Sequence, residues 1–146
     1  MNLIKQIKLT NNYVLIIILL LSFLSSCLFA FVFNNPIVAD AHQYDQIGLN
    51  ITHGYFSLDE TEPYSPTMHR EPLYPYFLSI IYKVFGHNYN IVYFFQICLF
   101  SLTCLLTYLI SKSIFNNKVA TLSGILISLF PTLANYPSYI LSETLF

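Results

Sequence analysis

YVLIIILLLSFLSSCLFAFVF, residues 13–33, decides the fold. The run carries no charge, and about 20 mainly apolar residues in helix cross the roughly 30 Å hydrocarbon layer. Within it, Leu24-Ser25-Ser26-Cys27 has the form of a lipoprotein signal. A lipoprotein turns polar after its Cys, whereas Leu28 to Phe33 stays apolar, so a retained spanning helix is expected. The whole chain agrees. Its 146 residues are 55% hydrophobic, 17% aromatic and 9% charged, against about 25% charged for a soluble domain. Such numbers exclude an ordinary globular domain and a disordered chain. A net charge of −1 leaves no basic footprint for nucleic acid. Three Cys without a CxxC spacing give neither a disulfide framework nor a structural zinc site.

Outward from this run, Asn90 to Ser111 is a second uncharged stretch, and Val119 to Asn135 a shorter third with Pro131 near its end. Tyr139 to Phe146 reads as the start of a fourth. The expected fold is therefore an all-α integral membrane protein, with three complete transmembrane helices and the start of another. The expected division is a tail 1–12, helix 13–33, loop 34–89, helix 90–111, turn 112–118, helix 119–135 and a final segment 136–146. Short loops rich in Lys and Arg stay cytoplasmic. Lys5 and Lys8 put the N-terminus inside, and Lys112 with Lys118 independently put the second turn inside. The loop 34–89 and Glu143 then lie outside. Because the chain stops in an apolar run, it reads as the N-terminal part of a longer protein.

The outer loop holds all four His and six of the seven acids. Loops of this length are functional or disordered, and this one is patterned. Ala41, Tyr44, Ile47, Gly48 and Ile51 recur at helical spacing, which predicts a helix over 41–53 ended by Gly54. Leu73, Phe77, Ile80, Ile81 and Val84 predict a second over 73–86, with Pro72 and Pro75 at its start and Gly86 at its end. Both are expected to lie in the membrane interface. Between them, Pro63 and Pro66 mark an irregular segment. Asp45, Asp59, Glu60 and Glu62 read as a solvated acidic surface, and Cys27, Cys98 and Cys104 as inert packing residues.

The order of features is distinctive. Asp40-x-x-x-Tyr44-x-x-Ile47 follows the first span; Arg70-Glu71-Pro72-Leu73-Tyr74 and Phe85-Gly86 come next; Ser142-Glu143-Thr144-Leu145 follows the third span. From about residue 10 to 146, this resembles the polytopic membrane glycosyltransferases of the C-type (GT-C) fold, in their bacterial protein-mannosyltransferase-like and aminoarabinose-transferase-like group. The resemblance implies transfer of a sugar from a polyprenyl-phosphate donor to a hydroxyl of a lipid, glycan or protein acceptor, at the outer face of a bacterial plasma membrane. It implies Asp40 as catalytic base, Arg70 as the cation on the lipid phosphate, and Glu143 as an active-site acid. Arg70 stands where the family has Lys, and Glu71 where it has Pro. The position before the basic residue is an acidic metal ligand in some members. Here it is His69, an imidazole that still leaves room for a divalent ion. Members are several times longer, so the chain alone is expected to be inactive.

The residue types suit that chemistry. Phosphate leaves as an anion and needs no acid, but the acceptor hydroxyl needs a base, and the developing phosphate charge needs cations. Arg70 offers a planar donor fork; Lys83 is a second candidate. Each residue also has a plainer reading. Asp40 sits where a helix N-cap would be. Arg70 could pair with Glu71 or reach lipid head groups. Glu143 could be a solvated helix end, and His42 and His53 solvated loop residues. A different class, a transporter subunit or assembly scaffold, would place its ionisable groups within the spans; here they cluster outside them.

Overall fold

In the computed structural model, residues 12–32 and 39–145 are described. The Lys5–Lys8 tail, the link 33–38 and Phe146 lie outside them. Helix α1, Asn12–Val32, matches the first expected span. Its buried stripe is Ile18, Ser22 and Ser26, while Ile16, Leu20, Leu24, Leu28 and Phe31 face outward. The Ser22 hydroxyl donates to the Ile18 carbonyl at 2.9 Å, so the polar group is satisfied inside its own helix.

The second span, α4 (Tyr89–Ile114), runs 26 residues, about 39 Å at the helical rise. Asn88 caps it by accepting from the Asn90 N–H at 3.0 Å. It outlasts the expected end by three residues, and the Lys112 ammonium sits 5.9 Å from the Tyr108 ring centre. The turn after it shrinks to Phe115 and Asn116, and the Asn116 side chain accepts from the Lys118 and Val119 N–H groups at 3.0 Å each.

The third expected span is broken. Helix α5 (Asn117–Leu129) is about 20 Å long, too short to cross alone. Pro131 lacks an N–H and pushes the residue before it out of helical geometry; Phe130 is at φ −70, ψ 113. The chain bends by 53° into the segment Pro131–Ser138, which comprises α6 (Pro131–Asn135) and a 3-10 turn, Tyr136–Ser138. The described residues thus hold two helices long and apolar enough to span, or three if the bent pair counts as one. The expected fourth helix is absent from residues 139–145. The backbone there is extended at Tyr139 and Leu141 and closes only into a 3-10 turn, Ser142–Thr144.

The spans meet over Ile18, Phe100, Cys104, Tyr108, Ala120 and Ala134. Gly124 permits the approach, since a Cβ there would lie 2.6 Å from the Ile18 Cδ1 and 3.3 Å from the Tyr108 Cβ. Small residues at helix contacts serve membrane bundles in this way. The Ser25 hydroxyl adds a bond to the Ser128 carbonyl at 2.6 Å.

The two loop helices form within a residue of their expected bounds: α2, Asp40–Thr52, and α3, Leu73–Phe85. Gly54 at φ 95 and Gly86 at φ 77 terminate them. The α2 stripe does not face outward; Ala41 and Tyr44 join Tyr74, Leu78, Ile81 and Tyr82 of α3, with Val92 and Ile140, in a second core. Gly48 is the crossing point, where an added Cβ would lie 2.8 Å from the Leu78 Cβ. Helix α3 is apolar on two sides. One side covers α2, and the other leaves Leu73, Tyr76, Ile80 and Val84 exposed.

Candidate functional site

The chain enters α2 through Ala39, at φ 50 and ψ −117, a backbone region that residues with a Cβ rarely adopt. Ala39 occupies the N-cap position and supplies no side-chain capping bond. Asp40 is the first helical residue rather than the cap, so the capping reading gives way. Its carboxylate lies in the first turn, where the helix dipole favours an anion, and pairs with Arg70.

Arg70 meets three residues of α2 at positions i, i+3 and i+4. One terminal nitrogen pairs with Asp40, Nε donates to the Gln43 Oε1 at 2.9 Å, and the guanidinium carbon lies 5.2 Å from the Tyr44 ring centre. Residues so spaced share one helix face. Asp40 is 56% exposed and Arg70 20%. An exposed pair of this kind is worth about 0–1 kcal/mol, so an anionic ligand can displace the carboxylate. A guanidinium carries five N–H donors, and these contacts use two of them.

Glu71 accepts the Tyr44 hydroxyl at 3.1 Å. The same hydroxyl lies 3.2 Å from the Ser142 Oγ. Ser142 therefore touches the α2 face, while its neighbour Glu143 is exposed and lines a different space, a cavity of about 240 Å³ with Phe100, Thr103, Ile127 and Tyr136. Lys83 is exposed near the end of α3 and is not part of the Asp40–Arg70 pair. His69 is exposed beside Arg70, and its backbone N–H donates to the Thr67 hydroxyl at 3.3 Å. Among the described residues, no three His, Cys, Asp or Glu side chains converge to hold a metal ion.

Two polar knots escape the sequence reading. Gln96 lies fully buried inside a span. It accepts from the Tyr74 hydroxyl at 2.6 Å and donates to the Pro137 and Tyr139 carbonyls at 2.9 and 2.7 Å, which seats the segment leading to Glu143. Asp45 is buried, not part of a solvated surface. It accepts from the Tyr82 hydroxyl at 2.6 Å and the Tyr89 hydroxyl at 2.8 Å, and it bonds the His87 Nε2 at 2.8 Å. Burial pushes the Tyr82 phenol far up, and its bond to Asp45 holds the proton further. Asp59 is also engaged. The Ser65 N–H at 2.6 Å and the Ser57 hydroxyl at 3.1 Å hold its carboxyl below the usual range. Glu60 and Glu62 are exposed, as expected.

Asp45 joins α2, the end of α3 and the start of α4. Its replacement by Ala strands three donor groups. Asp45→Ala is expected to destabilise the fold by about 3–5 kcal/mol. Asp45→Asn, which keeps one acceptor, should cost less. Thermal unfolding in detergent would rank the two, and equal stability of Asp45→Ala and the native chain would remove the knot's role.

The described residues are mainly helical, hold at least two helices long and apolar enough to cross a membrane, and pair an acid with a guanidinium in the segment between them, which defines a polytopic membrane protein. The chain belongs to the dolichyl-phosphate-mannose-protein mannosyltransferase family, whose sequence model matches residues 66–142. It is thereby placed among membrane glycosyltransferases that use a lipid-linked sugar donor and an acceptor. No curated protein and no solved structure matches the chain. The matched stretch contains Arg70 and Lys83 but neither Asp40 nor Glu143.

Proposed function

We propose that this protein transfers a sugar from a polyprenyl-phosphate donor to an acceptor hydroxyl at the extracytoplasmic face of the membrane, with the N-terminus cytoplasmic. The observation that carries the reading is the meeting of Asp40 and Arg70, thirty positions apart, on one face of α2. Arg70 binds the donor phosphate through its remaining N–H groups. As the phosphate takes the guanidinium, the Asp40 carboxylate is released to accept the acceptor's hydroxyl proton. The hydroxyl oxygen attacks the anomeric carbon, and the bond to phosphate breaks with the electron pair going to the phosphate oxygen. The phosphate needs no proton to leave, so one base and one cation suffice. Lys83 lies on the same loop and adds positive charge near the head-group layer. Glu143, at its separate cavity, belongs to the acceptor side.

Reconstitution of the full-length protein in liposomes tests this directly. The same labelled sugar is offered on polyprenyl phosphate or on a nucleotide, to a panel of lipid, glycan and peptide acceptors. Transfer from the lipid donor alone is the expected result. Turnover of the nucleotide sugar alone would overturn the reading.

A further inference from the structure

We propose that Tyr44 is a positioning residue that holds the phosphate-facing Arg70 and the Glu143-bearing turn Ser142–Thr144 in one register, with Glu71 anchoring its hydroxyl. The inference rests on the reading of Arg70 as the donor-phosphate group. Tyr44 is 4% exposed, and each part of its side chain meets a different segment. The ring lies under the Arg70 guanidinium at 5.2 Å and packs edge-on against Tyr74 at 5.1 Å. The hydroxyl meets Glu71 at 3.1 Å and Ser142 at 3.2 Å. A phenol has one hydrogen to give. With the Glu71 carboxylate as acceptor, the Ser142 hydroxyl completes the chain as donor.

This arrangement accounts for Glu71. A carboxylate next to a phosphate-binding cation would repel the phosphate if it pointed at the ligand. Tyr44 gives it a hydrogen-bond donor beside the helix instead. The ring, meanwhile, restrains a guanidinium whose long stem would otherwise sample many rotamers. The two ends of Tyr44 therefore do separable work: the ring places the cation, and the hydroxyl places the turn that carries Glu143.

Three variants and two readouts test the division, namely steady-state transfer from a polyprenyl-phosphate sugar and hydrogen exchange of the 139–145 amides. Tyr44→Phe keeps the ring. It should leave the donor KM within about twofold and lower kcat about tenfold, the effect of losing one hydrogen bond to a charged group. Exchange over 139–145 should quicken. Tyr44→Leu removes the ring as well, so donor KM should also rise. Glu71→Gln keeps a carbonyl acceptor and should retain kcat within about threefold. Unchanged exchange and kcat in Tyr44→Phe would overturn the proposal. So would a Glu71→Gln variant as impaired as Tyr44→Phe, since Glu71 would then act on substrate itself. If the full-length protein does not turn over the lipid donor at all, the donor reading fails, and the exchange data still decide the role of Tyr44.

Discussion

Asp40→Asn is expected to lower the rate of sugar transfer by about 10²–10⁴-fold, the range for removal of a positioned general base. The substitution changes little else. The carboxylate is 56% exposed, does not occupy the N-cap position of its helix, and loses only an exposed ion pair worth about 0–1 kcal/mol. Thermal unfolding of the variant should therefore stay close to that of the native protein while turnover collapses. Asn retains the shape and one acceptor oxygen, so the loss isolates the ability to take a proton. Asp40→Glu moves the carboxylate by one methylene and should recover part of the activity. Initial rates with a saturating lipid donor, measured beside an unfolding curve, separate chemistry from folding. A variant Asp40→Asn that works at a native rate would leave the pair with Arg70 as a surface contact and nothing more.

The helices were legible because each is written locally. The uncharged run 13–33 needs no partner to be apolar, and Gly54 and Gly86 end their helices through backbone freedom that only glycine supplies cheaply. The α2 pattern could be read, but not what covers it, because the apolar second side of α3 decides that. The bend after Leu129 was written in Pro131, whose missing N–H carries more weight than the apolar composition around it. Asp45 was misread and Gln96 passed over for a common reason. A polar residue looks solvated, or merely tolerated, until its partners are known, and here the partners lie 22 to 44 positions away. For the candidate site, a helix that starts at Asp40 carries Gln43 and Tyr44 on the same face, but Gln43 has no apolar or charged signal to single it out. That Arg70 would close onto that face depended on how the intervening loop returns, with Asn50 holding the carbonyls of Ser57 and Asp59 at 2.8 Å each.

Arg70→Ala is expected to lower kcat/KM for the lipid donor by about 10²–10³-fold, the size of effect seen when one group that stabilises developing charge is removed. Both donor binding and turnover should suffer, since the guanidinium meets the phosphate in the ground state and meets more charge as the sugar leaves. Arg70→Lys tests geometry against charge. An ammonium keeps the cation but has no planar fork, and it cannot both bond Gln43 as Nε does at 2.9 Å and present paired donors to a phosphate. It should recover only part of the loss, because Gln43 and Tyr44 are spaced here for a guanidinium. Asp40 and Arg70 are in contact, so their effects should not add. With the base already removed in Asp40→Asn, the further change Arg70→Ala should still raise the donor KM, because phosphate binding does not need the carboxylate. If the donor KM in that double variant equals that of Asp40→Asn alone, Arg70 serves only to orient Asp40, and the phosphate must be held by another cation, for which Lys83 is the residue to replace next.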